Sequence, residues 1–149
     1  FMIVKDILKK SFYVLICAFV FVNVFLLNVV LHEVGHYAAA EHYGLEPEID
    51  FDFNGIEDAL SFSFESRAIA STSFVDNVNR EELFVIVSMG PFVNLILSLI
   101  FMTLFVVFRK GGFFAEMALI ACVVSFGAFA MNILPFEGID GKIIVDLLH

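Results

Sequence analysis

The sequence has few cations, only two cysteines and several long stretches without any charge. Eight lysines and arginines stand against seventeen acidic residues, which gives a formal net charge of −9. Because no basic cluster offsets this excess of acids, nucleic acid is not an expected partner. Cys17 and Cys122 lie in apolar runs, so neither a disulfide framework nor a cysteine-based structural zinc site is indicated.

Charge is almost missing from three long segments, and 60% of all residues are hydrophobic. These segments are Ser11–Leu31, Leu83–Phe108 and Phe113–Leu134, the last broken only by Glu116. About twenty apolar residues suffice for a helix to cross a bilayer, and the first run is too long for a signal-peptide core. We therefore predict a single domain over residues 1–149, an integral multi-pass membrane protein with three transmembrane helices in a lipid bilayer. The first helix is expected to continue to about Glu41 and to stop at Gly44.

The segment between the first two predicted helices, Gly44–Glu82, is acidic and carries alternating apolar residues. Ile49, Phe51 and Phe53 alternate with acids, and Leu60, Phe62 and Phe64 alternate with serines after the Asn54-Gly55 dipeptide. Such period-two patterns on both sides of Asn-Gly predict a small amphipathic β hairpin or strand pair. This element would act as a lid, or as an edge that captures an extended peptide.

His32-Glu33-Val34-Gly35-His36 follows the first uncharged segment directly. On a helix this spacing puts both imidazoles on one face, where they can hold one Zn²⁺, and the glutamate between them is placed to accept a proton from water. Ionisable residues are costly in lipid and are functional candidates by default. The motif therefore predicts zinc ligands at His32 and His36 and a general base at Glu33. A chance match and a structural metal site are the alternatives.

A catalytic zinc needs a third protein ligand and an open position for water. Three helices that cross a membrane in alternation bring the His-Glu-x-x-His motif, Gly90–Asn94 and Asn132–Gly141 to one membrane face. Asp140 is the best candidate for the third ligand, because it follows a helix-breaking proline and lies between two glycines that let the chain bend back. A purely structural Asp-Gly turn is the alternative reading of Asp140. Three other carboxylates are weaker candidates: Glu41, Glu137 and Asp146.

Small or polar residues recur every four positions on the second and third predicted helices. The two stripes are Gly90, Asn94 and Ser98, and Ala121, Ser125, Ala128 and Asn132. Close helix packing explains such stripes in lipid. The functional alternative is that the amides of Asn94 and Asn132 contact the substrate backbone or the developing oxyanion. Asn28 is interpreted as a packing or ligand-supporting residue, and His42 as an interfacial surface residue.

The three motifs in this order resemble the signatures of the site-2 protease family of intramembrane zinc metalloproteases. The motifs are His32–His36, Gly90-Pro91-Phe92-Val93-Asn94, and Asn132-Ile133-Leu134-Pro135 with Asp140-Gly141. The resemblance covers about Asn28 to Ile144. It implies Zn²⁺ bound by His32, His36 and Asp140, with Glu33 as general base, Asn132 as a substrate-positioning or oxyanion residue and, more loosely, Asn94. Many members carry Asp-Gly-Gly-Arg, whereas Lys142 follows Asp140-Gly141 here.

The resemblance also implies a substrate class, namely a transmembrane segment of another membrane protein. The expected function is hydrolysis of a peptide bond within or near that segment. One alternative is a catalytically inactive family member that binds membrane proteins as a scaffold. A third possibility is a zinc transporter, but this chain lacks the repeated intramembrane acids or histidines that an ion path would need. By the positive-inside rule, the distribution of lysines and arginines slightly favours a site that faces outward. The family usually places its zinc nearer the cytosol, so both orientations stay open.

Overall fold

The computed structural model describes residues 2–51, 70–73 and 78–149. Within these residues the chain forms four helices and one two-stranded antiparallel sheet. The elements are α1 (Met2–His42), β1 (Glu48–Phe51), β2 (Ala70–Ser73), α2 (Arg80–Phe108), α3 (Phe113–Ile133) and α4 (Asp140–Leu148). Helices α1, α2 and α3 are long and apolar enough to cross a membrane. The predicted class, an α-helical membrane protein with a small strand pair between its first two long helices, is confirmed.

The ends of the long helices follow from local sequence signals. Helix α1 stops before Gly44, whose φ of 75° is the left-handed conformation that favours glycine, and the amide of Leu45 bonds the carbonyl of Ala40 at 3.2 Å. Helix α2 begins with a capping box, in which Asn79 Oδ1 accepts from the amide of Glu82 at 2.9 Å and the Glu82 carboxylate accepts from the amide of Asn79. This cap extends α2 three residues before the predicted start at Leu83.

The helix bundle has an apolar outer surface, and its interior contains polar as well as apolar residues. Large hydrophobic side chains project outward along the long helices, for example Phe19 at 69% and Val107 at 67% exposure. Among the residues whose burial is described, seven polar or charged ones are buried: Asn28, His32, Glu33, His36, Asn94, Ser98 and Ser125. Lipid tails can surround the apolar outer surface, whereas polar groups inside the bundle need hydrogen-bond partners on neighbouring helices. This distribution is what a membrane environment requires.

Close packing and hydrogen bonds join the long helices. Asn28 of α1 donates to the Ser125 hydroxyl of α3 at 2.9 Å, and Ser98 of α2 donates to the carbonyl of Cys122 at 3.3 Å. A Cβ placed on Gly35 of α1 would lie 2.8 Å from the carbonyl oxygen of Met89, so only glycine permits this approach of α1 and α2. The packing role expected for the small and polar stripes is therefore confirmed at Ser98 and Ser125.

The strand pair lies against the end of α1. Ile49 pairs with Thr72 and Glu48 with Ser73 in an antiparallel register. Directly paired residues share one face of a sheet, so half-buried Ile49 and Thr72 face the same side. The first strand, Glu48–Phe51, lies within the predicted alternating segment. The predicted second strand at 60–64 and the Asn54-Gly55 turn lie outside the described residues, and β1 pairs with Ala70–Ser73.

Candidate metal centre

Two buried histidines on consecutive turns of α1 form one side of the candidate site. Their side chains lie on the same helix face, and the two Nε2 atoms are 3.1 Å apart. Both residues are 7% exposed. These two ring nitrogens therefore lie close together at one point, away from bulk solvent.

Asp140 brings a carboxylate to the same point from the other end of the chain. Its Oδ2 lies 2.8 Å from His32 Nε2 and 3.2 Å from His36 Nε2. Burial alone would raise the pKa of Asp140, but the contacts with the two imidazoles outweigh burial and hold this pKa below its ordinary value. The carboxyl group therefore favours its charged form, which is the form that binds metal ions.

The turn between α3 and α4 explains how Asp140 reaches the histidines. Helix α3 ends at Ile133, before Pro135, and the chain turns through Gly138 at a φ of 80°. A Cβ on Gly141 would collide with the carbonyl oxygens of Ile133 and Leu134, so glycine lets the start of α4 pack against the end of α3. Asp140 is the first residue of α4, and not an isolated Asp-Gly turn. A helix that the sequence analysis did not predict begins at Asp140, so the Asp-Gly turn considered there is not the observed conformation.

The far end of α4 is held by α2. The guanidinium group of Arg80 donates through Nε to the carbonyl oxygen of Leu147 at 2.7 Å and also through its Nη2. A cation at the C-terminal end of a helix bonds carbonyls that have no partner within the helix. Arg80 thus fixes the short helix that carries Asp140.

Each imidazole has a second contact that orients it. His36 Nδ1 lies 2.8 Å from the carbonyl oxygen of Ile86 on α2. Because a carbonyl can only accept, Nδ1 of His36 donates its proton there, and the Nε2 lone pair faces the cluster. His32 Nδ1 lies 3.1 Å from Nδ2 of Asn94, which is 1% exposed. The outer nitrogen of each ring is therefore engaged by α2.

Gly90 of α2 makes room for both rings. A Cβ at this position would lie 2.6 Å from His36 Cε1 and 2.7 Å from His32 Cε1. These distances are far below ordinary van der Waals contact, so any side chain here would displace the imidazoles. The small residue at this point of the α2 stripe serves the site as well as helix packing.

Glu33 lies next to the cluster and is held by the strand pair. Its Oε2 accepts a hydrogen bond from the Thr72 hydroxyl at 2.9 Å, and the same hydroxyl is 3.2 Å from the Glu33 carbonyl oxygen. A hydroxyl carries one proton, so it donates to one of these two oxygens at a time. Glu33 is itself 7% exposed. The carboxylate is thus buried, oriented and adjacent to the two histidines.

The residues present fit a zinc ion. His32, His36 and Asp140 each offer one ligand atom, and these atoms lie within 4.8 Å of one another. Asp140 Oδ2 is buried and, within the described part of the chain, has no hydrogen bond of good geometry, although both rings are near. Donor atoms around tetrahedral zinc are about 3.3 Å apart, so the three need to separate by only a few tenths of an ångström. Two imidazoles and one carboxylate form a ligand set that leaves a fourth position open.

The other sequence candidates lie elsewhere or have other partners. Glu137, Glu41 and His42 are exposed, and Asp146 pairs with Lys142 at 2.8 Å on the exposed side of α4. Asn132 donates to the Ala128 carbonyl of its own helix at 2.9 Å. A substrate or oxyanion role for Asn94 and Asn132 stays a prediction.

Two contributors to the site had no recognisable signal in the sequence. Thr72 lies in a short Ala-Ser-Thr-Ser strand without apolar alternation, and Ile86 acts through its backbone carbonyl. Neither position resembles a metal-site motif, because each reaches α1 only through tertiary packing.

Comparisons of the chain with protein-family models, with curated proteins and with solved structures find no match.

Proposed function

We propose that the chain is an integral multi-pass membrane protein and a zinc metalloprotease of the site-2 type. The observation that carries this proposal is the convergence of His32, His36 and Asp140 beside the buried Glu33 in a bundle of apolar helices. Placing two imidazoles and two carboxylates in an apolar bundle is costly, so such a group calls for a functional reason.

Zinc suits the donor set, and Zn²⁺ in such a site lowers the pKa of bound water toward about 7 and polarises a carbonyl group. The other contributions come from this chain's own residues. His32 and His36 would bind the ion from α1, and Asp140 of α4 would supply the third protein ligand.

Glu33 acts as the general base in this proposal. It accepts a proton from the attacking water and returns it to the amine that leaves when the peptide bond breaks. The Thr72 hydroxyl supports this role, because it restrains the carboxylate beside the cluster without removing its capacity to accept a proton at the other oxygen.

The membrane setting suggests the substrate. Long apolar helices restrict access to molecules that share the bilayer, so we propose a transmembrane segment of another protein as substrate. Peptide bonds in a helix are shielded, and hydrolysis therefore requires local unwinding. The strand pair lies beside Glu33 through Thr72, and its backbone could hold an unwound segment in extended form.

The alternative is an inactive relative that binds membrane proteins as a scaffold. The complete set of three ligands and Glu33 speaks against this alternative, because an enzyme that has lost its activity need not keep them all. Catalysis therefore has to be measured directly.

The test is cleavage of a model transmembrane substrate by the full chain reconstituted in liposomes. Glu33→Gln should lose at least about a thousandfold in turnover, since general acid–base catalysis contributes about 10²–10⁴-fold and the same group serves twice. Zinc content should stay the same, because the ligands are unchanged. Glu41→Gln, an exposed carboxylate on the same helix, is the matched control and should cleave normally. Cleavage by Glu33→Gln near the wild-type rate would remove the assigned base.

A further inference from the structure

The amide of Asn94 has an unusual hydrogen-bonding position. Its Nδ2 faces His32 Nδ1 at 3.1 Å, while its Oδ1 is buried and has no hydrogen-bond partner among the residues that the structure describes. Buried polar atoms normally find a partner, so an isolated amide oxygen beside a candidate ligand requires an explanation. Ser98, one turn further along the same stripe, makes an ordinary bond to α3. Asn94 instead contacts the imidazole of His32, a candidate metal ligand.

The present orientation fixes where the His32 proton lies. Since an amide nitrogen only donates, His32 Nδ1 must accept, and a neutral ring then carries its proton on Nε2. Nε2 is the atom that faces Asp140 and His36. A protonated ring nitrogen has no free lone pair for a metal ion. In this orientation Nε2 of His32 has no lone pair to offer to a metal ion.

Metal binding through Nε2 requires the opposite tautomer. The proton must then reside on Nδ1, and that N–H needs an acceptor close by. A half-turn of the Asn94 amide exchanges Nδ2 with Oδ1 and places the partnerless oxygen against His32 Nδ1. His36 needs no such change, because the Ile86 carbonyl accepts from its Nδ1 in either state.

We propose that Asn94 is a positioning residue that selects the tautomer of His32. Its Nδ2 donates to His32 Nδ1 in the metal-free protein, and its Oδ1 accepts from His32 Nδ1–H when Nε2 binds zinc. The cluster thus contains one histidine with a fixed tautomer and one whose tautomer changes with metal occupancy. This inference rests on the proposed zinc centre, but it does not depend on proteolysis.

The first measurement is nitrogen-15 NMR of histidine-labelled full chain in detergent, with and without one equivalent of zinc. His32 should change from the Nε2–H to the Nδ1–H form on zinc addition, while His36 keeps Nδ1–H in both samples. An Nδ1–H form of His32 in the metal-free protein would overturn the proposal.

The second measurement is zinc affinity of three variants by competition with a chromophoric chelator. Asn94→Leu, of similar volume but without an acceptor, should bind zinc about ten- to a hundredfold more weakly, the usual effect of losing such a supporting contact. Asn94→Asp keeps an acceptor and should stay within about threefold of wild type. Ser98→Ala, the control on the same stripe, should bind zinc normally.

Two results would overturn the proposal. Wild-type affinity in Asn94→Leu, with only a lower melting temperature, would assign the residue to packing. Equal weakening in Asn94→Leu and Asn94→Asp would show that the acceptor is irrelevant. Wild-type protein that binds zinc but cleaves no substrate would contradict the proposed proteolysis alone, whereas wild-type protein that binds no zinc would overturn both.

Discussion

Gly90→Ala is the perturbation whose consequence follows most directly from the geometry. The added Cβ would lie 2.6 Å from His36 Cε1 and 2.7 Å from His32 Cε1, whereas ordinary contacts are 3.4–4 Å. The rings must therefore retreat by about 0.7 Å or more, which exceeds the tolerance of about 0.2 Å in metal–ligand distances. The two imidazole rings cannot shift freely, because the Ile86 carbonyl and the Asn94 amide contact their Nδ1 atoms.

The expected result is a large loss of zinc affinity with a modest change in stability. We expect zinc binding to weaken by at least about a hundredfold, or about 2.7 kcal/mol. Overpacking costs about 1–3 kcal/mol of folding free energy, and the better helix propensity of alanine returns up to about 1 kcal/mol. The net loss of stability should thus be about 0–3 kcal/mol, so the variant should still fold.

The assay is a zinc competition titration on detergent-solubilised protein, paired with thermal unfolding of the metal-free form. Gly127→Ala is the matched control, because a Cβ on this α3 glycine would meet no atom of the described residues within 4 Å. The control should bind zinc as the wild type does. Unchanged zinc affinity in a folded Gly90→Ala variant would refute the reasoning that His32 and His36 bind the ion in the observed arrangement.

Three further substitutions test the other parts of the site. Asp140→Ala should lower zinc occupancy sharply while Asp146→Ala should not, and full metal content in Asp140→Ala would point to another carboxylate. Thr72→Val removes the hydroxyl that orients Glu33 and should reduce cleavage about tenfold at normal zinc content; an unchanged rate would leave Thr72 a packing residue. Asn132→Ala should cut turnover about a hundredfold at unchanged stability if its amide contacts substrate. If Asn132 only packs, its loss should cost about 0.6–2 kcal/mol of stability, and the folded fraction should keep normal turnover.

The long helices and the convergence of the site could be predicted because they depend on simple properties of the sequence. Uncharged runs of sufficient length fix α1, α2 and α3 to within a few residues, apart from the N-terminal extension of α1 to Met2. Because successive helices cross the membrane in opposite directions, the end of α1 and the turn after α3 must lie at the same membrane face. His32, His36 and Asp140 do meet there, as the topology predicted.

The contacts that orient the site could not be predicted, because they come from tertiary packing. Asp140 and Gly141 suggested a bend, yet they begin a helix whose packing against Ile133 needs glycine. The role of Thr72 depends on the pairing of its strand with Ile49. The role of the Ile86 carbonyl depends on the distance between α1 and α2, for which a single sequence carries no signal.

The central claim is that His32, His36 and Asp140 together bind one zinc ion, and X-ray absorption at the zinc edge tests it most directly. On purified full chain we expect one zinc per chain, with two imidazole nitrogens at about 2.0–2.1 Å, oxygen ligands completing the shell and no sulfur. Asp140→Ala should lose one oxygen ligand or the metal itself. A zinc–sulfur distance near about 2.3 Å, or protein that retains no zinc, would contradict the account.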